Sequence, residues 1–466
     1  MSSLPASKEE TSLPVPPEPM PPGIQNVYIF DVFNTASWSV VLGAPMMLFL
    51  QHLSASATII AVAACLSPLL NILQMPAARF VERVGYRRFV LAGWTSRSFL
   101  IIGMTVVAFL PESVDPTTRI MLMLLFSFVF NVLRGISVCG MLPWFTHIVP
   151  ESRRGEFLAK DQSAIAFSGI VSLLLSAVLL SGNHAWYSFG VVYAISFIAA
   201  QISIYFLRRV PDVPVAKITP NFTAKPWKEM FFYPPFFKYL RYNIIVNLAL
   251  GASGAFWVRY FRAFLHITEA NVLYIACGTN IMLVVALFLI TPVIDRTHNK
   301  QVLTLSGILF VIHFSVWGSL AAGVIPFNWT VIFVQAVTSG FGGALWTLAN
   351  IRMVMGIVPA MGRPHFLALY SVAANLTVGL VPLAWGPIMD RLETWHAAWG
   401  YWNWNSYSLL YAVLALTMIV GLGVLQTLEE PKKMTWDVFM RELLVETPSR
   451  AISRIIGRLR GPTIIG

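Results

Sequence analysis

The groups in this chain best equipped for chemistry are a few charges set among apolar residues. Asp31 lies in the apolar run 27–50, and Arg134 stands just past the middle of another, 119–143, within Asn131-Val132-Leu133-Arg134-Gly135. Arg97 lies in the run 88–110, and Arg259 and Arg262 fall near one end of the run 241–264. A carboxyl group in such surroundings either takes up and releases a proton, because desolvation favours its neutral form, or pairs with a buried cation such as Arg97 or Arg134. An embedded arginine presents a planar set of N–H donors to an anionic or polar ligand, or serves helix packing against a buried counter-charge. Arg259 and Arg262 are placed to snorkel toward lipid headgroups. Neutral polar groups are spread through runs of the same kind: Asn34, Asn71 and Gln74 in the first half, and Asn247, Asn280, Gln335, Trp346, Asn350, Tyr370 and Asn375 in the second. They offer donors and acceptors to a polar solute, or hydrogen bonds between helices.

Other chemistries are poorly provided for. Cys65, Cys139 and Cys277 stand in apolar runs without CxxC spacing, and His313 is the lone histidine deep in a run, so neither a disulfide framework nor a metal site is expected. Gly340, Gly342 and Gly343 lack the preceding strand of a nucleotide-binding loop and fit close helix packing instead. No catalytic residue, metal or cofactor is expected, and the chain is not read as an enzyme.

The elements that must position these groups follow from composition. Of 466 residues, 57% are hydrophobic and 11% charged, with a mean hydropathy of +0.69. A soluble globular chain carries about 25% charged residues, so this one lacks the charge to cover a water-exposed surface. Soluble enzyme, nucleic-acid binder and disordered scaffold are disfavoured together. Crossing a bilayer core takes about 20 apolar helical residues, and twelve runs reach that length: 27–50, 55–75, 88–110, 119–143, 161–181, 186–207, 241–264, 270–292, 301–323, 329–351, 366–389 and 405–427. The pattern predicts an all-α membrane protein of two six-helix bundles, 27–207 and 241–427, joined by a proline-rich cytoplasmic connector, 208–240. Residues 1–26, polar and rich in proline, read as a disordered cytoplasmic tail. Residues 428–466 interleave Ile452, Ile455, Ile456 and Leu459 with Arg450, Arg454, Arg458 and Arg460, the pattern of a basic amphipathic tail on the anionic inner leaflet.

The net charge of +11 resolves into an orientation. Counted loop by loop, nearly all of the 32 Lys and Arg fall on one side, and the opposite loops hold only Arg119 and Arg391. Basic residues are retained in the cytoplasm, which puts both termini there. Trp395, Trp399, Tyr401, Trp402, Trp404 and Tyr407 crowd one outer loop, as interfacial anchors do.

Corresponding loops of the two halves repeat. Ala78-Arg79-Phe80-Val81-Glu82-Arg83-Val84-Gly85-Tyr86-Arg87-Arg88 follows the second run, and Asp295-Arg296, with Lys300 beyond, follows the eighth. Val149-Pro150, Arg154 and Phe157-Leu158-Ala159 recur at one common offset as Val358-Pro359, Arg363 and Phe366-Leu367-Ala368. Such a duplication is the organisation of alternating-access carriers. The sequence resembles the major facilitator superfamily over residues 27 to 427. The family's signature loop runs Gly, three residues, Asp-Arg, any residue, Gly, then basic residues. Here Ala78 stands for the first Gly and Glu82 for the Asp, Arg83 and Gly85 match, and Arg87 and Arg88 form the basic end. The second copy keeps Asp295, Arg296 and Lys300, with His298 in the glycine position.

Gly85 permits a tight backbone between helices, and Glu82 can pair with arginines or a helix N-terminus. The resemblance implies that this loop is a conformational gate, with Arg153, Arg154 and Arg363 as possible partners. An arginine in the fourth helix recurs among proton-coupled members, although the Gln and Gly expected three and four residues on are Ser137 and Val138 here. The expected function is a secondary active transporter of a small polar or anionic organic solute, with Asp31 as the candidate proton site. The alternatives are proton-driven efflux of drugs or metabolites, or a non-transporting membrane sensor or assembly factor. The expected partners are the small-molecule solute, protons and membrane lipids, with no nucleic acid. A monomer in the bacterial inner membrane is expected.

Overall fold

A computed structural model describes residues 20–150, 153–182, 185–213, 233–294, 298–358 and 363–428. The proposed N-terminal tail before residue 20, most of the connector, the C-terminal tail after residue 428, and Asp295 and Arg296 lie outside the described residues. So do the side chains of Glu82, Arg154 and Arg363.

Among the described residues, twelve helices are long and apolar enough to cross a membrane. We label these spans α1 (Gln25–His52), α2 (Ala57–Val81), α3 (Tyr86–Ala108), α4 (Pro116–Phe145), α5 (Glu156–Leu180) and α6 (Tyr187–Leu207), then α7 (Pro234–Phe264), α8 (Glu269–Ile290), α9 (Asn299–Ala321), α10 (Trp329–Ile357), α11 (Phe366–Arg391) and α12 (Ser406–Gln426). Each predicted apolar run has its helix. The largest boundary difference is at α7, which begins within the predicted connector. Pro234 and Pro235 occupy the first helical positions there, where the missing N–H breaks no hydrogen bond, so this proline pair opens a helix instead of ending one.

The two halves pack alike. In the first, α1 lies against α5 and α6, α3 against α4 and α6, and α2 against α4; in the second, α7 lies against α11 and α12, α9 against α10 and α12, and α8 against α10. This is the same arrangement transposed by six helices. The bundles meet mainly along α2 with α11 and α5 with α8. Many large apolar side chains, Phe99, Phe167, Phe288 and Leu416 among them, point outward, as a lipid-facing surface requires.

One small piece of sheet interrupts the helices. Residues Ala397–Trp399 (β1) and Trp402–Trp404 (β2) pair as an antiparallel hairpin, Ala397 opposite Trp404, turned at Gly400 with φ +61°. It carries the aromatic cluster, with Trp399 and Tyr401 standing 81% and 95% exposed. We call this the hairpin end of the molecule and the opposite one the terminal end. At the terminal end the signature loop is a single residue: Gly85, with φ +89°, ends the helical segment Gln74–Val84 and is followed at once by α3. Only a glycine adopts that backbone freely.

Candidate site between the bundles

Local breaks in the helices shape the centre. In α2, Pro68 sits inside the helix, and the chain passes through a short 3-10 turn at Asn71–Leu73. A proline removes one backbone donor and crowds the preceding turn, which loosens the helix at this level. Gly135 of α4 meets that stretch so closely that a Cβ there would lie 2.1 Å from the Leu70 carbonyl oxygen. The contact seats Arg134 beside α2, where its Nη1 donates to Ser67 Oγ and Asn71 Oδ1, both at 3.0 Å. Asn71 in turn donates to Asn375 Oδ1 on α11 at 3.5 Å, a link across the bundles. Ser67, Asn71 and Asn375 line a cavity of about 350 Å³, closed on the second bundle's side by Leu250, Gly251 and Gly254 of α7.

Among the described residues no carboxylate lies within ion-pair distance of Arg134 or of Arg97. Their environments differ. Arg97, 6% exposed, donates to Asn34 Oδ1 at 2.7 Å and lies 4.0 Å over the Trp94 ring and 5.4 Å from the Phe130 ring centre. Trp94 Nε1 also donates to Asn34 Oδ1. Asn34 is thus turned to Arg97 inside the first bundle. Arg134 commits only Nη1, and none of its donors is both sealed and unpartnered, so it retains N–H groups for a further acceptor.

The expected pairing of Asp31 with Arg97 or Arg134 is not what forms. The hydroxyls of Ser168 and Ser172 on α5 donate to the carbonyls of Val32 and Ala36 on α1, and this register brings Asp161 of α5 to Asp31. The two carboxyl groups come close enough to influence each other, with Asp31 only 6% exposed and Asp161 Oδ1 buried without a hydrogen-bond partner. Two carboxyl groups brought together away from water favour a state in which one of them is protonated. Asp161 stands at the very start of the apolar run 161–181 and so does not stand out in the sequence as an embedded charge; the helix extends below it, to Arg154.

The remaining polar candidates form a network at the terminal half of the second bundle. Asn243 donates to Asn350 Oδ1 and to the Tyr370 hydroxyl, both at 3.1 Å, and Tyr239 donates to the Asn350 carbonyl at 2.8 Å. Asn247 turns back to the Asn243 carbonyl at 2.9 Å, and Trp346 packs edge-on against Tyr242. Gln335 is bound to the His313 carbonyl in the next helix. At the signature loop, Arg83 and Arg88 are exposed and Arg87 donates to the Arg208 carbonyl within its own bundle. Arg153 lies 3.8 Å from Glu156.

The hairpin end is sealed across the bundles. Asp390 at the end of α11 accepts from the backbone N–H of Ala57 at 2.6 Å and of Thr58 at 2.9 Å, capping the N-terminus of α2. Gly386 lies one turn before it, where a Cβ would come within 2.8 Å of the Thr58 Cα. Arg259 donates to the Ala55 carbonyl at 2.8 Å and to Glu393 at 2.9 Å, and His52 lies 3.4 Å from Glu269, which also binds Arg262 at 3.0 Å. Arg259 and Arg262 therefore do not snorkel to headgroups. Carbonyls and carboxylates at the helix ends take both Nη groups of each, while Arg262 Nε stays buried without a partner.

A two-bundle helical membrane protein, sealed at one end around a mid-membrane polar cavity, is built as a solute carrier and not as an enzyme. A family model of the Major Facilitator Superfamily matches residues 27–312. The chain belongs to the Major Facilitator Superfamily, a family of secondary transporters. Solved structures of similar fold include a mutant of the nucleoside transporter NupG, at a TM-score of 0.67 and 12% identity over 88% of this chain and 100% of that one. A D-xylose-proton symporter aligns at a TM-score of 0.61 and 15% identity over 85% of this chain and 95% of that one. A POT family transporter in complex with 5-aminolevulinic acid reaches 0.64 at 11% identity over 88% of this chain and 97% of that one. No curated protein matches the chain by sequence.

Proposed function

We propose that this transporter carries a small organic solute with an anionic or strongly polar group, held in the cavity between the bundles by Arg134. The observation that carries the reading is the state of that arginine. It is a cation within the membrane span, positioned by two cavity-lining side chains, with donors to spare and no counter-ion among the described residues. An unpaired charge in that setting costs several kcal/mol, a cost that an anionic ligand offsets. The closeness of Asp31 and Asp161 supports proton coupling, since two buried carboxyl groups side by side favour keeping a proton that they can release when the helices part. We further propose that the hairpin end faces outward, that the termini lie in the cytoplasm of a bacterial cell, and that the chain acts as a monomer in contact with inner-leaflet lipids.

The test is uptake into proteoliposomes with a panel of radiolabelled organic acids, sugars and nucleosides, with and without a pH gradient. The reading expects an acid among the substrates, loss of its uptake in Arg134→Gln, and loss of pH-driven accumulation but not of solute exchange in Asp31→Asn and Asp161→Asn. Uptake of an acid that is indifferent to Arg134→Gln overturns the anion site. Accumulation unchanged in both aspartate variants overturns the coupling.

A further inference from the structure

The second bundle contains a chamber that the polar site does not use. It lies between α7, α8, α9, α10 and α12 and encloses about 270 Å³. Its walls are aromatic: Trp257 and Phe261 from α7, Phe310, Phe314 and Trp317 from α9, and Tyr411 from α12. These rings are held by one another. Trp317 meets Phe261 edge-on at 5.2 Å and stacks with Tyr411 at 6.4 Å, and Phe310 stacks with Phe314 at 6.1 Å.

The polar groups at the back of the chamber are already committed. Trp317 Nε1 donates to His313 Nε2 at 3.1 Å, which leaves the imidazole proton on Nδ1, facing the Thr338 hydroxyl at 3.4 Å. Gln335 donates to the His313 carbonyl at 3.0 Å. What remains toward a ligand is a set of ring faces with a few polar groups, Ser253, Thr279, Ser339 and the Asn280 amide, whose Nδ2 is held by the Ala276 carbonyl.

The chamber borders the central cavity. Leu250 and Gly254 of α7 line both spaces, and a Cβ at Gly254 would meet no atom within 4 Å. No packing contact demands a glycine there, and this bare stretch of α7 is where we place a doorway between the two. We infer that the solute is an organic anion with a flat aromatic body, its ring system lodged in the chamber of the second bundle and its charged group passing Gly254 to the Arg134 wall. The inference deepens the anion reading and rests on it. Rings set at these angles favour a flat π-system over a flexible chain of the same size, through edge and face contacts added to the burial of apolar area. The chamber volume suits a one- or two-ring group.

The probes are indole-3-propionate, hexanoate and 3-phenylpropanol, which separate ring from charge. Binding to the purified full-length protein in nanodiscs is measured by calorimetry, for the native chain and for Gly254→Leu, Ser339→Phe and Arg134→Gln, each first checked by thermal melting. The native chain is expected to bind indole-3-propionate about tenfold more tightly than hexanoate. Gly254→Leu, which blocks the doorway, and Ser339→Phe, which fills the chamber from α10, each erase that advantage, and in Ser339→Phe, which does not touch the central cavity, hexanoate binding stays within about twofold. Equal affinity for the two acids in the native chain, or no binding of indole-3-propionate, overturns the inference, as does an advantage that survives both filling variants. Arg134→Gln is expected to weaken both acids alike. If it weakens neither while the doorway variants still remove the ring preference and 3-phenylpropanol binds as well as the acid, the anion reading fails and the aromatic chamber stands.

Discussion

Arg97 and Arg134 are of one type and lie in neighbouring helices, yet their surroundings assign them different work. Arg97 is enclosed by Asn34, Trp94 and Phe130, while Arg134 leans on groups that belong to the cavity wall. Asn34→Ala removes the acceptor of a buried guanidinium and of an indole at once. It is expected to destabilise the first bundle by about 1–3 kcal/mol, read as a lowered melting temperature, with solute affinity preserved in the molecules that remain folded. An unchanged melting temperature would contradict this placement of Asn34. From the sequence alone both arginines and the amides were recognisable as candidates, because ionisable and amide groups stand out within apolar runs. Their partners were not, since partner choice depends on helix rotation and on small-residue contacts such as Gly135 against Leu70. Asp31 makes the same point: its partner Asp161 lies far along the chain and is brought to it by the register of Ser168 and Ser172.

Helix irregularities are what place the site at the level of elements. Span α1 breaks between Gln25–Val41 and Ala44–His52 at Gly43, where a Cβ would fall 2.1 Å from the Ser39 carbonyl oxygen and Pro45 follows at once. Pro68 and Gly135 together make the pocket in which Arg134 rests. Gly135→Ala is expected to push α4 from α2, costing about 1–3 kcal/mol and weakening anion binding together with stability; full retention of binding would show that the close approach does not position Arg134. At the hairpin end, the Asp390 cap on α2 contributes about 1 kcal/mol. In Asp390→Asn, a cysteine placed by Ala55→Cys, buried at 1% exposure in the sealed state, is expected to react faster with a membrane-impermeant maleimide. An unchanged rate would mean that the seal does not depend on this cap. Proline and glycine positions were legible in the sequence; which of them bend a span and which merely begin one, as Pro234 does, depends on whether the lost N–H was already without a partner.

For the molecule as a whole, the twelve spans and their division into two sets of six were the most legible feature, because bilayer thickness imposes one length and one composition on every span. The transposed packing pattern follows from the same duplication that the repeated loops reveal. Orientation is a separate matter, carried by loop charge alone. Tyr401→Cys, at the exposed tip of the hairpin, is expected to be labelled by an impermeant maleimide in intact cells, whereas a cysteine at Arg88 is labelled only after permeabilisation; the reverse pattern would invert the topology. The aromatic chamber was not legible beyond Gln335 and Asn280, because its ring residues come from α7, α9 and α12 and each is unremarked within an apolar helix.

The seal at the hairpin end is made largely of main-chain groups: the N–H of Ala57 and of Thr58, and the carbonyl of Ala55. Water replaces such partners readily, and the net worth of each bond, one member being charged, is about 1.5–3 kcal/mol. On the proposed carrier reading, opening exchanges these partners for water, so the two arrangements are expected to differ by only a few kcal/mol. A bound solute need supply only a few kcal/mol of preference between them to redirect the population, which leaves turnover rate open to adjustment by single substitutions at the end of α11.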